Sequence, residues 1–250
     1  MKIVACIKRV PTTEAQAKVA GDGKSLDTAG WQYMASFYDE IAVEEALKTK
    51  EKLGGDVTIV TLGPSEASKE VREFLARGAD NGVILKDADP AARDPRSTAK
   101  ALAAKVKAIG ADLVFVGRVA TDRDNAAVGA MLATYLDYAC VTEVIALDIS
   151  GSSGVAKRET EHGVETVEFT LPAVVTCNKG LNEPRRASLK GIMAVKTKPI
   201  AEEAFESTAN QALVTKVELP AARKAGRILG EGAAAVPALI EALRNEARVL

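Results

Sequence analysis

Short apolar runs alternate with helix-periodic segments from Met1 to about Ile149, and this alternation decides the fold class. The runs predict strands over 2–7, 57–62, 82–85, 113–117 and 141–148. Helices fall between them. In Asp39-Glu40-Ile41-Ala42-Val43-Glu44-Glu45-Ala46-Leu47 the period sets Ile41 and Ala42 against Glu44 and Glu45 on opposite faces, with Ser36 or Asp39 available as N-cap. Pro64 opens a second helix, whose Val71, Phe74 and Leu75 face inward before Gly78 ends it. A third, from about Ser97 to Ile109, places Leu102, Val106 and Ile109 at helical spacing and stops at Gly110. Such alternation folds as a doubly wound, mostly parallel sheet under helices, a Rossmann-like α/β domain.

Beyond Ile149 the pattern changes. Gly151-Ser152-Ser153-Gly154 is a turn, and 155–158 with 164–171 alternate as an antiparallel β-hairpin whose turn carries His162 as a solvated residue. The stretch 171–200, LPAVVTCNKGLNEPRRASLKGIMAVKTKPI, opens as an apolar strand over 172–177 and becomes a polar loop ending in Leu-x-x-Ile-Met and spaced lysines. Its hydroxyls and thiol have no His nearby, so it reads as a contact surface rather than a reaction centre, with a plain connecting loop as the other reading. Residues 201–224 have weak periodicity and predict an extended arm; Val236, Leu239, Ile240 and Leu243 predict an amphipathic terminal helix. Pattern alone leaves open whether arm and helix dock on a partner subunit or fold back on their own domain.

Charge narrows the partners. With 33 basic against 34 acidic residues the net charge is −1, so no overall field draws the chain to nucleic acid or an anionic membrane. Cys6, Cys140 and Cys177 lie far apart and His162 is the sole histidine, which removes the usual zinc clusters and disulfide frameworks and points to a reducing compartment. Cys6 and Cys177 sit in apolar runs as buried, inert thiols. A strand starts directly at Lys2 and no apolar run approaches the ~20 residues that span a bilayer, so a cytoplasmic protein without membrane insertion is expected.

Sheets of this kind bind ligands beyond the carboxyl ends of their strands. Four segments qualify: Lys8-Arg9-Val10-Pro11, the residues leading into Asp39, Gly63-Pro64-Ser65, and 117–128. In the last, Thr121-Asp122-Arg123-Asp124-Asn125 precedes a helix starting near Val128-Gly129, whose free N–H groups and positive dipole suit a phosphate. Neither GxGxxG after a strand nor GxxxxGK[ST] is present, which argues against the familiar dinucleotide and P-loop solutions. Asp122 and Asp124 have no metal-ligand partner in the pattern and read as capping and turn residues rather than an acid–base pair.

Several motifs together carry a family resemblance. Val164-Glu165-Thr166-Val167-Glu168, 171–176, Asn182-Glu183-Pro184-Arg185, Ala187-Ser188-Leu189 and Ile192-Met193 resemble the signature of the β subunit of electron transfer flavoproteins. Lys8-Arg9-Val10-Pro11, 39–47, Gly63-Pro64, Arg77-Gly78-Ala79-Asp80, Asp122-x-Asp124-x-x-x-Val128-Gly129 and Arg223-Lys224-Ala225-Gly226-Arg227 extend the likeness over essentially the whole chain. The resemblance implies an electron-carrier subunit without catalytic residues of its own. Its partner would be an α subunit that mainly holds the FAD, and it would bind a structural AMP. Electrons would come from acyl-CoA or other primary dehydrogenases and leave to a quinone oxidoreductase.

By the same resemblance, the AMP contacts carry over to Cys6, Ser36, Phe37, Tyr38, Asp39, Leu62 and the loop Gly117, Arg118, Val119, Ala120, Thr121, Asp122, Arg123, Asp124, Asn125, Ala126, Ala127 and Val128. Docking on the dehydrogenase carries over to a recognition loop at 178–200, with Leu189 as anchor beside Pro184, Arg185, Ile192 and Met193 and no metal involved. Residues 1–200 would form the nucleotide-binding domain and 201–250 the arm and helix packed on the α subunit. Departures stand at Ala126-Ala127, where relatives carry polar side chains, at Ser36 for a common Asn, and at Arg186 for a frequent Tyr. Three alternatives remain: a bifurcating relative with a second FAD in place of AMP, a free-standing adenine-nucleotide enzyme, and a nucleotide-sensing module without redox partners.

Overall fold

The computed structural model describes residues 1–222 and 225–250; Arg223 and Lys224, where the predicted arm ends and one family motif begins, lie outside the described residues. In chain order the elements are β1 Lys2–Ile7, β2 Arg9–Pro11, β3 Tyr33–Ala35, α1 Phe37–Leu53, β4 Asp56–Gly63, α2 Ser68–Arg77, β5 Asn81–Lys86 and α3 Pro95–Ile109. There follow β6 Leu113–Gly117, α4 Val128–Leu136, β7 Ala139–Ser150, β8 Ser153–Thr160, β9 Gly163–Thr170, β10 Ala173–Cys177, α5 Leu189–Ala194, β11 Ile200–Glu203 and α6 Val236–Ala242. Among the described residues nine strands make one sheet, in the order β11-β5-β4-β1-β6-β10-β7-β8-β9. All neighbours from β11 to β7 run parallel, and β7, β8 and β9 continue as an antiparallel meander.

The apolar runs become central strands because both faces of the sheet are covered. Alternation along β1 shows it: Ile3, Ala5 and Ile7 pack in the layer of α1 and α2, while Val4 and Cys6 pack in the layer of α3 and α4. Gly78 and Gly110 end α2 and α3 as expected, with φ of 137° and 70° that a side chain would resist. The α3 start lies earlier than Ser97, because Asp94 caps the helix through the Ser97 N–H (2.7 Å) and Pro95 occupies its first turn.

One expectation for α1 is corrected: Glu44 and Glu45 do not lie opposite Ile41, because residues three and four apart share one side of a helix, and both are buried where the segment 182–185 lies across them and supplies hydrogen bonds. Ser36 does stand at the N-cap position, its carbonyl accepting from the Glu40 N–H (3.2 Å), but its side chain makes no capping bond, and Asp39 lies inside the helix. The Ser36 hydroxyl and the Asp39 carboxylate bond to other segments instead. The predicted arm also differs, since its first residues join the sheet as β11 beside β5, and its Phe205 packs in the α3–α4 layer. From Leu213 onward it is largely exposed, and so are Val236, Leu239 and Ile240 of the terminal helix. No helix among the described residues is long and apolar enough to cross a membrane.

Candidate functional site

Strand β1 is flanked by β4 on one side and β6 on the other, so the chain's winding reverses between β1 and β6. A crevice opens there beyond the carboxyl ends of the strands. The cleft is walled by Cys6, Leu62, Leu102, Val116 and Val128, an apolar lining suited to a small organic ligand. Burial pushes the Cys6 thiol up to about 12, with the Asp39 charge adding to it, so this sulfur is a wall rather than a nucleophile.

Close approach of backbone at the crevice depends on Gly117. A Cβ there would sit 2.4 Å from the Asp39 carboxylate and 2.9 Å from the Asp39 nitrogen. Without one, Asp39 accepts from the Gly117 N–H (3.1 Å) and the Lys8 N–H (2.7 Å), tying the ends of β6 and β1 to the first turn of α1. Burial pushes the Asp39 carboxyl up to about 7 against the opposing pull of those two donors and of Lys8. Ser36 adds a second stitch: its hydroxyl donates to the Val119 carbonyl (3.3 Å) and accepts from the Thr121 N–H (3.3 Å).

The loop into α4 forms the mouth. Met131 N–H is bonded to the Ala127 carbonyl (3.1 Å), and the Ala127 cap carries no side-chain bond among the described residues. First-turn N–H groups ahead of it have no partner within the helix, and Ala126, Ala127 and Val128 line the cleft at that point. Asp124 and Ala126 hold φ of 48° and 50°, a left-handed conformation costly for residues with a Cβ. Gly129 then lets α4 press on the sheet, for a Cβ there would lie 2.6 Å from Thr176 and 2.9 Å from Val116. Cationic side chains gather around this mouth. Lys8, Arg93, Arg118 and Arg123 line it; Lys8 pairs with Asp122 (2.6 Å), Arg118 with Glu143 (3.4 Å), and Arg123 bonds the Ala91 carbonyl.

Of the residues nominated from sequence, the structure brings Cys6, Asp39, Leu62, Gly117, Arg118, Val119, Ala120, Arg123, Asn125, Ala126, Ala127 and Val128 to the cleft. Ser36, Thr121 and Asp122 brace it from behind through the bonds just described. Phe37 and Tyr38 stand apart as an edge-to-face pair with centroids 5.4 Å apart, Phe37 exposed and Tyr38 below the Arg118 guanidinium (5.9 Å). Sequence reasoning missed one wall, Pro90, Arg93, Pro95 and Thr98. Its signal was present: the loop follows a strand, and Asp94-Pro95 is a helix start.

The stretch 178–200 lies elsewhere on the molecule. Ser188 caps the short helix α5 by accepting from the Gly191 N–H (3.1 Å), and α5 presents Leu189 (76% exposed), Ile192 (52%) and Met193 (71%) to solvent. Ahead of it the loop is bolted to α1. Arg185 reaches Glu44 through Nε (2.9 Å) and Nη2 (2.9 Å) and also grips Glu51, while Asn182 bonds Glu45 (2.9 Å) and the Ile41 carbonyl (3.1 Å). Gly191 permits the seat on α2, since a Cβ would fall 2.0 Å from the Ala76 carbonyl oxygen. Pro184 is half-buried in this loop, whereas Arg186 is exposed.

Comparison with known proteins joins these features. Residues 26–208 match the family model described as the electron transfer flavoprotein domain. An electron transfer flavoprotein subunit beta of Bacillus subtilis (strain 168) is 37% identical over 259 residues, spanning 100% of each chain. One of Bradyrhizobium diazoefficiens is 37% identical over 253 residues, again spanning 100% of each. A third, of Mycobacterium tuberculosis (strain H37Rv), is 40% identical over 204 residues, covering 79% of this chain and 77% of its own. A fold with a crevice at its switch point, and full-length identity at this level, place the chain in the electron transfer flavoprotein β-subunit family.

Proposed function

We propose that this chain is the β subunit of a heterodimeric electron carrier. It accepts electrons from primary dehydrogenases, such as acyl-CoA dehydrogenases, by way of an FAD held mainly by the α subunit, and passes them to a quinone oxidoreductase. The observation that carries the nucleotide part is the cleft: apolar walls, cations at its mouth, and an α4 N-terminus whose cap makes no side-chain bond among the described residues and whose first-turn N–H groups have no partner within the helix. That donor set fits a mononucleotide such as AMP. Val128 and its neighbours would hold the phosphate through backbone N–H groups, Arg118 and Arg123 would offset its charge, and the apolar walls would take the base. Such a nucleotide would act as packing rather than as a reactant, and electron transfer would be the flavin's chemistry.

Docking belongs to a different surface. Leu189, with Ile192 and Met193, offers an apolar knob on a polar loop, the arrangement of a single hot spot inside a weak rim. The arm and terminal helix, with Leu213, Leu219, Ile228 and Leu239 exposed, suit burial against the α subunit. The test is to co-express the chain with an α subunit, denature the purified yellow complex, and identify what is released. One flavin and one AMP per heterodimer is expected. Two flavins and no AMP would replace the AMP reading with the bifurcating one, and a colourless monomer that turns over ATP would overturn the carrier reading itself.

A further inference from the structure

The cleft's outer wall is held in place by the C-terminal arm. Pro90, Arg93, Pro95 and Thr98 line the cleft, and all belong to the short segment that caps α3 at Asp94. Buried Asp94 uses one carboxylate oxygen on its own helix, accepting from the Ser97 N–H (2.7 Å). The other oxygen accepts two N–H groups of the arm, Gln211 (2.7 Å) and Ala212 (3.2 Å). Asn210 returns the grip. Its carbonyl oxygen accepts from the Asp94 N–H (3.1 Å) and the Ser97 hydroxyl (2.9 Å), and its amide donates to the Ala92 carbonyl (2.6 Å).

Arg93 closes the other end of the strap. Its guanidinium lies over the Phe205 ring (4.7 Å) and donates to the Ser207 hydroxyl (3.1 Å) while it pairs with Asp87. Burial pushes the Asp94 carboxyl up, and the Ser97, Gln211 and Ala212 donors more than reverse this, holding it well below the usual carboxylate range. A helix needs only one of these bonds for its cap. The remaining bonds connect a cleft wall to a segment more than a hundred residues away in sequence.

We propose that Asp94 and Asn210 are positioning residues for the nucleotide cleft: by strapping the arm to the start of α3 they link nucleotide retention to the seating of the arm. The inference rests on the nucleotide reading above. Two sites linked in this way share one coupling free energy, so each must respond to the other. A nucleotide that needs the wall in place slows release of the arm, and a loosened arm weakens the nucleotide.

Asp94→Asn and Asn210→Ala test this from opposite sides in the purified heterodimer. An Asn at the cap position still accepts from the Ser97 N–H, so the first variant keeps the α3 cap and removes the arm's acceptor. The second leaves every cleft-lining side chain unchanged. The probe is AMP, with affinity and release rate measured well below the melting temperature, and with amide exchange followed at Gln211 and Ala212. Both variants are expected to bind AMP at least about fivefold more weakly, the lower end of common coupling. In the unsubstituted protein, added AMP should slow exchange at those two amides. Unchanged AMP affinity in both variants overturns the linkage, as does exchange at Gln211 and Ala212 that ignores AMP. If the unsubstituted protein itself fails to take up AMP, the nucleotide reading fails and the linkage with it, an outcome distinct from the other two.

Discussion

Replacing Arg185 with Gln would isolate what holds the docking loop. Glu44, whose side chain is only 7% exposed, meets Arg185 through two nitrogens and through the Arg185 backbone N–H (3.0 Å). Removing one partner of a buried ion pair strands the other charge, which typically costs 3–5 kcal/mol. Here the surviving backbone N–H and the 32% exposure of the Arg185 side chain place the loss lower, at about 2–3 kcal/mol. For a chain of this size that is a fall in melting temperature of roughly 4–12 °C. Glu51, the other acceptor, is 59% exposed, so Glu51→Gln should cost less than about 1 kcal/mol. Thermal melts by circular dichroism, with Glu44→Gln and the Glu44→Gln/Arg185→Gln double variant completing a cycle, give the coupling directly. The double variant should recover part of the loss, because no charge is left stranded. The reasoning fails if Arg185→Gln melts within about 2 °C of the unsubstituted protein, or if Glu51→Gln costs as much.

Two further predictions concern the docking knob and the cleft. Leu189→Ala removes an apolar group worth roughly 1.5–3 kcal/mol on burial, so electron transfer from a dehydrogenase should slow while flavin content stays intact; an unchanged rate at sub-saturating carrier would refute the anchor role. Asp39, pushed by burial from its ordinary value of 3.8 up to about 7, binds a proton in the folded state that the unfolded chain has released. Its contribution to stability is therefore fully present below pH 3.8 and lost as pH rises through about 7, with a slope of at most about 1.4 kcal/mol per pH unit. Asp39→Asn should flatten that part of the curve of denaturation midpoint against pH, and parallel curves for the two proteins between pH 4 and 8 would count against the buried-acid assignment.

What could be read from the sequence depended on how far apart the interacting residues lie. The parallel strands were legible because a strand buried on both faces is near-continuously apolar, and β1, β4 and β6 read that way. Helix ends marked by Gly78 and Gly110 were legible for a local reason as well, since no other residue takes their φ cheaply. Glu44 and Glu45 were misplaced because their charge was weighed above the period, which sets positions three and four beyond Ile41 on its own side, and a buried carboxylate needs a partner that no local pattern shows. Their partners, Arg185 and Asn182, lie 141 and 137 residues away. β2 and β3, at three residues each, are too short to show a period. The cleft wall at 90–98 escaped notice although its strand and the start of α3 were visible, because the bonds that tie it to residues 210–212 span more than a hundred residues.

Helix α1 touches both the cleft and the loop at 178–200. Asp39 in its first turn ties down the ends of β1 and β6 and with them the cleft, and Glu44 and Glu45, roughly 8–9 Å further along the axis by helical rise, hold the docking loop through Arg185 and Asn182. On the proposed function, the carrier would have to release a dehydrogenase after every transfer while keeping its nucleotide. Mounting both surfaces on one buried helix fixes their relative position, and giving each its own carboxylates keeps their energetics apart, since no side chain is shared between the Asp39 bonds and the Arg185 bonds. Substitutions in the two groups should then add in stability, and loosening the loop at Arg185 should leave the nucleotide in place. The opposite holds for the arm, whose bonds at Asp94 run into the cleft wall itself. If the proposed nucleotide and docking sites hold, the fastening at Arg185 is the one whose loss AMP affinity should ignore, and the fastening at Asp94 the one whose loss it should register.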